Sequence, residues 1–134
     1  MDYLIGLMLA AVVCGAARLA GFDRERVFYP TLLIVIASYY VLFAVMGADR
    51  EALLFDSLIA AAFLGAALLG FRGSLWTVVV ALAAHGVFDA LYQLVLRNSG
   101  VPGWWPAFCL AFDLAAAALL ALLLVRRPGL ARQA

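Results

Sequence analysis

A single histidine and a few acids interrupt an otherwise apolar chain, and their spacing sets the chemistry open to it. His85 and Asp89 are four residues apart, and Asp113 follows in the next apolar stretch with Cys109 four residues before it. On a helix, residues three or four apart share a face. His85, Asp89, Tyr92 and Gln93 therefore form one polar stripe, and Cys109 with Asp113 forms another. An imidazole among carboxylates supports three roles. His85 and Asp89 could act as an acid–base pair, with Asp113 orienting or sharing the proton. The same His85, Asp89 and Asp113 could hold a metal ion, because one His with two or three Asp can satisfy zinc or iron. Alternatively the groups only hydrogen-bond helices together, at about 0.6 kcal/mol per pair. His-x-x-x-Asp alone is a weak metal signal, since zinc normally takes more His or Cys. Ser38 and Cys109 sit in no recognisable nucleophile turn, no Gly-rich phosphate loop occurs, and no motif specifies a cofactor.

The elements that must position these residues are membrane-spanning helices. The 134 residues are 69% hydrophobic and 13% charged, against about 25% charge and 45–50% apolar residues in a soluble domain. Mean hydropathy is +1.11. Too little polar surface exists to coat a water-soluble globule, so lipid is the expected solvent and membrane lipids are expected neighbours. A net charge of +1 argues against nucleic acid as a partner. All the basic residues are Arg, a usage that fits a GC-rich bacterial genome.

The chain reads as one all-α domain, 1–134, a polytopic membrane helical bundle with five transmembrane helices at about 3–20, 27–47, 52–71, 75–96 and 106–125. Each span approaches the roughly 20 apolar residues that cross about 30 Å of hydrocarbon. Period-2 alternation typical of barrel strands is absent. Met1-Asp2 lacks the basic segment of a signal peptide, so the first span is expected to be retained. Cys14 and Cys109 fall in apolar spans at different depths, where they read as small buried hydrophobes and not as a disulfide. Gly21 to Arg26 reads as a charged loop, in which Glu25 with Arg24 and Arg26 is expected to be solvated. Ala61 with Gly65, and Ala66 with Gly70, carry the small-residue spacing that lets helices approach closely.

Arg18, Arg24, Arg26, Arg72, Arg126, Arg127 and Arg132 fall on one side of this topology, and only Arg50 and Arg97 on the other. Basic residues favour the cytoplasm, so the N-terminus is expected outside and the C-terminus inside a bacterial inner membrane. Trp76 falls at the inner boundary, and Tyr3, Trp104 and Trp105 at the outer one. A rise of 1.5 Å per residue then gives depths. Asp89 and Asp113 lie roughly 10 Å below the outer boundary, Asp56 about 6 Å, Tyr39 and Tyr40 roughly 10–12 Å and His85 about 16 Å. Four helices thus bring polar groups to one half of the bundle. A charge facing lipid costs at least about 2.5–3.5 kcal/mol, so these stripes should face inward. The expectation is a shared outward-facing pocket in which Asp56, Asp89 and Asp113 approach one another and share a proton or a cation. Tyr39, Tyr40, Tyr92, Gln93, Asn98, Trp104, Trp105 and Cys109 are its expected ligand-binding lining.

The loop Gly100-Val101-Pro102-Gly103-Trp104-Trp105-Pro106 reads either as an interfacial turn or as a lid over that pocket. Together with His85-Gly86-Val87-Phe88-Asp89, Asn98 to Cys109 and Asp113, it resembles a group of small uncharacterised bacterial integral membrane proteins. The similarity extends over Arg26 to Phe43, with Phe28-Tyr29-Pro30 and Ser38-Tyr39-Tyr40. A His is common in that group where this chain has Tyr92, a departure that weakens any metal proposal for this chain. The resemblance implies a membrane class and no activity.

Three functions fit the residues. The chain could bind a small molecule, lipid or ion, as a transport or accessory subunit and as a homo-oligomer or with a membrane-protein partner. It could be an intramembrane enzyme acting on a lipid-soluble substrate through His85 and Asp89. It could be a structural subunit of a larger membrane complex.

Overall fold

The structure, a computed structural model, describes residues 1–95 and 100–132. Asn98 and the side chain of Gln93, both expected at the pocket, lie outside the described residues. Among the described residues, five helices are long and apolar enough to cross a membrane: α1 Asp2–Ala20, α2 Phe28–Met46, α3 Arg50–Arg72, α4 Leu75–Val95 and α5 Trp105–Arg126. A 3-10 turn, Phe22–Arg24, follows α1, and a single helical turn, α6 Pro128–Ala131, closes the chain.

The boundaries follow local chemistry. α3 starts earlier than hydropathy suggests because the Asp49 side chain caps it, accepting from the N–H groups of Glu51 and Ala52 at 3.1 and 3.0 Å. That cap draws the charged residues Arg50 and Glu51 into the first turn. α1 ends at Gly21, whose φ of 83° is a left-handed conformation that closes the helix on the carbonyls of Ala17 and Arg18. Pro106 sits in the first turn of α5, where its missing N–H costs nothing.

Neighbours in space are not always neighbours in sequence. α1 packs on α5, α5 on α4, α4 on α3 and α3 on α2, whereas α1 and α2 hardly touch. The buried face of α1 is Gly6, Ala10, Cys14 and Ala17, all small. At Gly6 a β-carbon would overlap the Phe108 carbonyl, so glycine is what lets α1 lie directly on α5. Toward the end that carries the α3–α4 turn, the bundle closes over Leu33, Leu75, Val78, Leu82, Leu120 and Leu124. The outside is equally apolar: Leu4, Leu54, Leu58, Leu69, Val80 and Leu94 are each more than 60% exposed. Apolar surface this extensive on long helices is the complement of lipid, not of water.

One end of the bundle is tied together by Arg26. Its guanidinium donates to the carbonyls of Gly70, Phe71 and Gly73 at 3.0, 2.9 and 3.0 Å, and to Leu130. The first loop, the α3–α4 turn and the C-terminal turn therefore share one end. Asp23 is buried and lies 3.8 Å from Arg18 Nη1. The expectation of a solvated loop holds for Arg24 and Glu25, which are exposed, but is corrected for Arg26. The reason is that α3 ends with unpaired carbonyls that need donors. Burial lowers the Arg26 pKa from its ordinary value, a cost the carbonyl acceptors offset. At the opposite end, Gly100 rests against the Phe43 carbonyl and Gly47, seating the α4–α5 loop on the end of α2.

Candidate functional site

The helical repeat places His85 and Asp89 one turn apart on the buried face of α4, and α5 carries Asp113 opposite them. Gly86 makes the meeting possible. A β-carbon there would come within 3.2 Å of Asp113 Cβ and 3.4 Å of the Leu110 carbonyl, so α4 and α5 lie close together beside His85. His85 Nδ1 lies 2.7 Å from Asp113 Oδ2, in hydrogen-bonding geometry, and 3.2 Å from Asp89 Oδ2, close enough for an ion pair. One ring nitrogen thus faces two carboxylates and, with a single hydrogen, satisfies at most one of them fully.

All three residues are at most 1% exposed. Among the described residues, His85 Nε2, Asp89 Oδ1, Asp113 Oδ1 and the buried hydroxyl of Tyr40 have no hydrogen-bond partner, and Asp89 Oδ2 has only its ion-pair contact with His85. Buried polar atoms in native proteins are overwhelmingly partnered, so a concentration of unpartnered ones marks a place built for something more. The remaining walls are aromatic. Phe63 stands edge-on to His85 at 4.7 Å between ring centres, with Phe88 at 6.0 Å and Tyr40 at 6.2 Å.

Asp56 does not join this cluster. Tyr92 donates its hydroxyl to the Asp56 carboxylate, 2.9 Å from each oxygen, and both residues are buried. The expectation that the three intramembrane acids share one pocket is therefore corrected. Asp56 meets α4 at Tyr92, nearly one turn beyond Asp89, and depth along separate helices does not fix which residues face each other. The two clusters adjoin through the Tyr40 and Tyr92 rings, whose centres are 4.3 Å apart. Tyr92 serves Asp56 and does not join the His85 cluster.

The other expected lining residues divide. Cys109 is buried beside both carboxylates. Tyr39 is half-exposed and packs on Trp105, at 5.1 Å between ring centres, away from the acids. Trp105 also contacts Phe43 and Phe108, so it belongs to the packed end of α5. Trp104 is half-exposed, as an interfacial anchor is. The polar groups do not line an open mouth: Asp56, His85, Asp89 and Asp113 are each sealed. What opens nearby is an apolar cleft of about 310 Å³ between α1 and α2, whose floor includes Cys109 and Phe112. Cys14 and Cys109 are both free thiols.

Gly86, Phe63 and Phe88 are site residues that sequence reasoning missed. Glycine inside a helix costs about 1 kcal/mol relative to Ala. Its place next to the only histidine was the available signal for a close helix approach.

The donor set fits a cation. Nδ1 or Nε2 of His85 and one oxygen from each of Asp89 and Asp113 lie within 4.8 Å of one another. Metal–ligand bonds of about 2.0–2.2 Å place adjacent ligands roughly 3 Å apart, close to the 2.7 and 3.2 Å observed around Nδ1. Two carboxylates, a neutral imidazole and a divalent ion sum to zero charge, the condition that low-dielectric surroundings favour. Comparison with known proteins adds no relative: no family model, curated protein or solved structure matches this chain.

Proposed function

We propose that this chain is a multi-pass inner-membrane protein, N-terminus out and C-terminus in, that binds one divalent transition-metal ion at His85, Asp89 and Asp113. The observation that supports the reading is the convergence of three buried side chains with ligand atoms, several of which make no hydrogen bond among the described residues. Pure helix glue would leave these groups paired, as Asp56 and Tyr92 are. An imidazole with two carboxylates suits manganese, iron, cobalt or zinc, whereas calcium and magnesium take oxygen ligands. The unequal distribution of Arg supports the orientation. The inner halves of α3, α4 and α5 carry almost no polar side chain, which favours binding or an accessory role over conduction through one chain. Ala61 and Gly65 leave a small-residue face on α3 unfilled, and it suits a second copy or a membrane-protein partner.

Metal content of the purified, chelator-stripped and reloaded protein tests this. One ion per chain is expected. Asp113→Asn should weaken binding by more than the roughly 10–100-fold that outer-shell changes cost. Equal metal content in Asp113→Asn and the parent protein would rule the site out.

A second reading is favoured by the cleft that reaches Cys109 from the lipid side. In it, His85 and Asp89 act as an acid–base pair on a lipid-soluble substrate, and Asp113 orients the imidazole. A covalent or turnover-dependent product from lipid extracts, lost in His85→Gln, would support it over simple binding.

A further inference from the structure

We propose that the cleft between α3 and α4 binds one quinone-type ligand, an apolar carbonyl compound dissolved in the hydrocarbon core, and that its carbonyl accepts a hydrogen bond from His85 Nε2. The inference rests on the metal reading, which makes that nitrogen a donor. With the ion on Nδ1, the nitrogen that meets both carboxylates, Nε2 carries the ring hydrogen. Metal-ligating imidazoles almost always donate that second N–H to a carboxylate, a carbonyl or water. Nε2 has no acceptor among the described residues, although His85 is only 1% exposed. A guest that brings its own carbonyl satisfies it.

The cleft is the way in. α3 and α4 meet tightly at Gly70, where an added β-carbon would overlap Val78. Beside that contact a cleft of about 560 Å³ opens on the outside of the bundle, with the exposed Val80 in its wall. That volume falls within the roughly 300–1,000 Å³ of small-molecule sites. Ala62 and Ala66 of α3 and Ala81 and Ala84 of α4 hollow it out, and its walls are apolar or aromatic except for Thr77. Phe63 belongs to the cleft and to the site together. It lines the cleft and stands edge-on to the His85 ring, 4.7 Å between ring centres. Displacing that one ring brings a guest to the imidazole. Depth selects the guest. Trp76, half-exposed, lines the cleft nine residues before His85, so the imidazole lies roughly 14 Å further along α4. Phospholipid ester carbonyls stay in the interfacial layer outside the hydrocarbon. A quinone carries its carbonyls on an apolar ring that enters the hydrocarbon itself.

His85 is the chain's only histidine, so isotope labelling of histidine nitrogen in an untagged protein reads this residue alone by magnetic resonance. The zinc-loaded protein in lipid nanodiscs is titrated with decylubiquinone, and with decylbenzene as a tail that lacks carbonyls. Zinc should move the Nδ1 resonance. Decylubiquinone should then shift the Nε2–H proton downfield and bind at least about tenfold more tightly than decylbenzene, the worth of one hydrogen bond. Ala62→Phe fills the cleft and should cut decylubiquinone affinity about tenfold or more while keeping the zinc shift. Gly65→Phe is the matched control on α3, at a position off the cleft where a β-carbon meets nothing within 4 Å, and should change neither. A zinc shift on Nδ1 with an Nε2–H signal that decylubiquinone leaves in place would overturn this inference and spare the metal reading. So would equal affinities for the two probes, or equal behaviour of Ala62→Phe and Gly65→Phe. A carbonyl preference that persists with no zinc shift would overturn the metal reading and keep the cleft as the binding site.

Discussion

Replacing the His85 cluster with apolar side chains of similar size separates a site from a structural clasp. The substitution is His85→Leu, Asp89→Val and Asp113→Val together. The metal-free protein holds one hydrogen bond here, His85 to Asp113, and one looser ion pair to Asp89. Against these stand His85 Nε2, Asp89 Oδ1 and Asp113 Oδ1, all buried without a hydrogen-bond partner among the described residues. Each orphaned buried group costs about 1–3 kcal/mol, whereas intramembrane hydrogen bonds return only about 0.6 kcal/mol on average. The balance is unfavourable, so the cluster weakens the metal-free bundle. Apolar replacement of buried ionic groups commonly stabilises by about 1–4 kcal/mol, and the same range is expected here. Reversible unfolding of both proteins in mixed micelles measures it. Divalent metal at 100 times its dissociation constant should then stabilise the parent protein by about 2.7 kcal/mol and leave the triple variant unmoved. A triple variant several kcal/mol less stable than the metal-free parent would refute the reasoning and make the cluster a clasp.

Two further predictions follow from the packing. Gly86→Leu should push α5 away from α4, since even a β-carbon comes within 3.2 Å of Asp113 Cβ. Metal affinity should fall at least about tenfold, with overpacking costing roughly 1–3 kcal/mol in stability; unchanged affinity in a calorimetric titration would show that helix spacing does not set the ligands. Arg26→Lys should destabilise by about 2 kcal/mol, because an ammonium cannot span the carbonyls of Gly70, Phe71, Gly73 and Leu130 as the guanidinium does. The readout is the unfolding midpoint in the same micelles, and a midpoint equal to the parent's would contradict the clamp.

The five apolar helices and the shared face of His85 and Asp89 were legible because both follow from properties internal to one helix. Hydropathy and length mark the helix, and the 3.6-residue repeat marks its faces. The inward-facing Asp113 was legible from the cost of charge in lipid. Helix order was not. Depth says that Asp56, Asp89 and Asp113 lie at similar levels but not which meet, and the structure sends Asp56 to Tyr92 instead. The Arg26 clamp left no trace in side-chain patterns because its partners are backbone carbonyls. The α1–α2 seam was equally hidden, since loop-connected helices ordinarily pack together. Gly86 was visible but unread: its meaning depends on α5 passing close by.

The most direct test of the metal reading is a cobalt(II) titration of the chelator-stripped protein in lipid nanodiscs, followed by d–d absorption in parallel with Asp113→Asn. The account predicts saturation at one cobalt per chain, with bands of a low-coordinate nitrogen–oxygen site that Asp113→Asn lacks. A spectrum no different from free aqueous cobalt, or one shared by the variant, would contradict it.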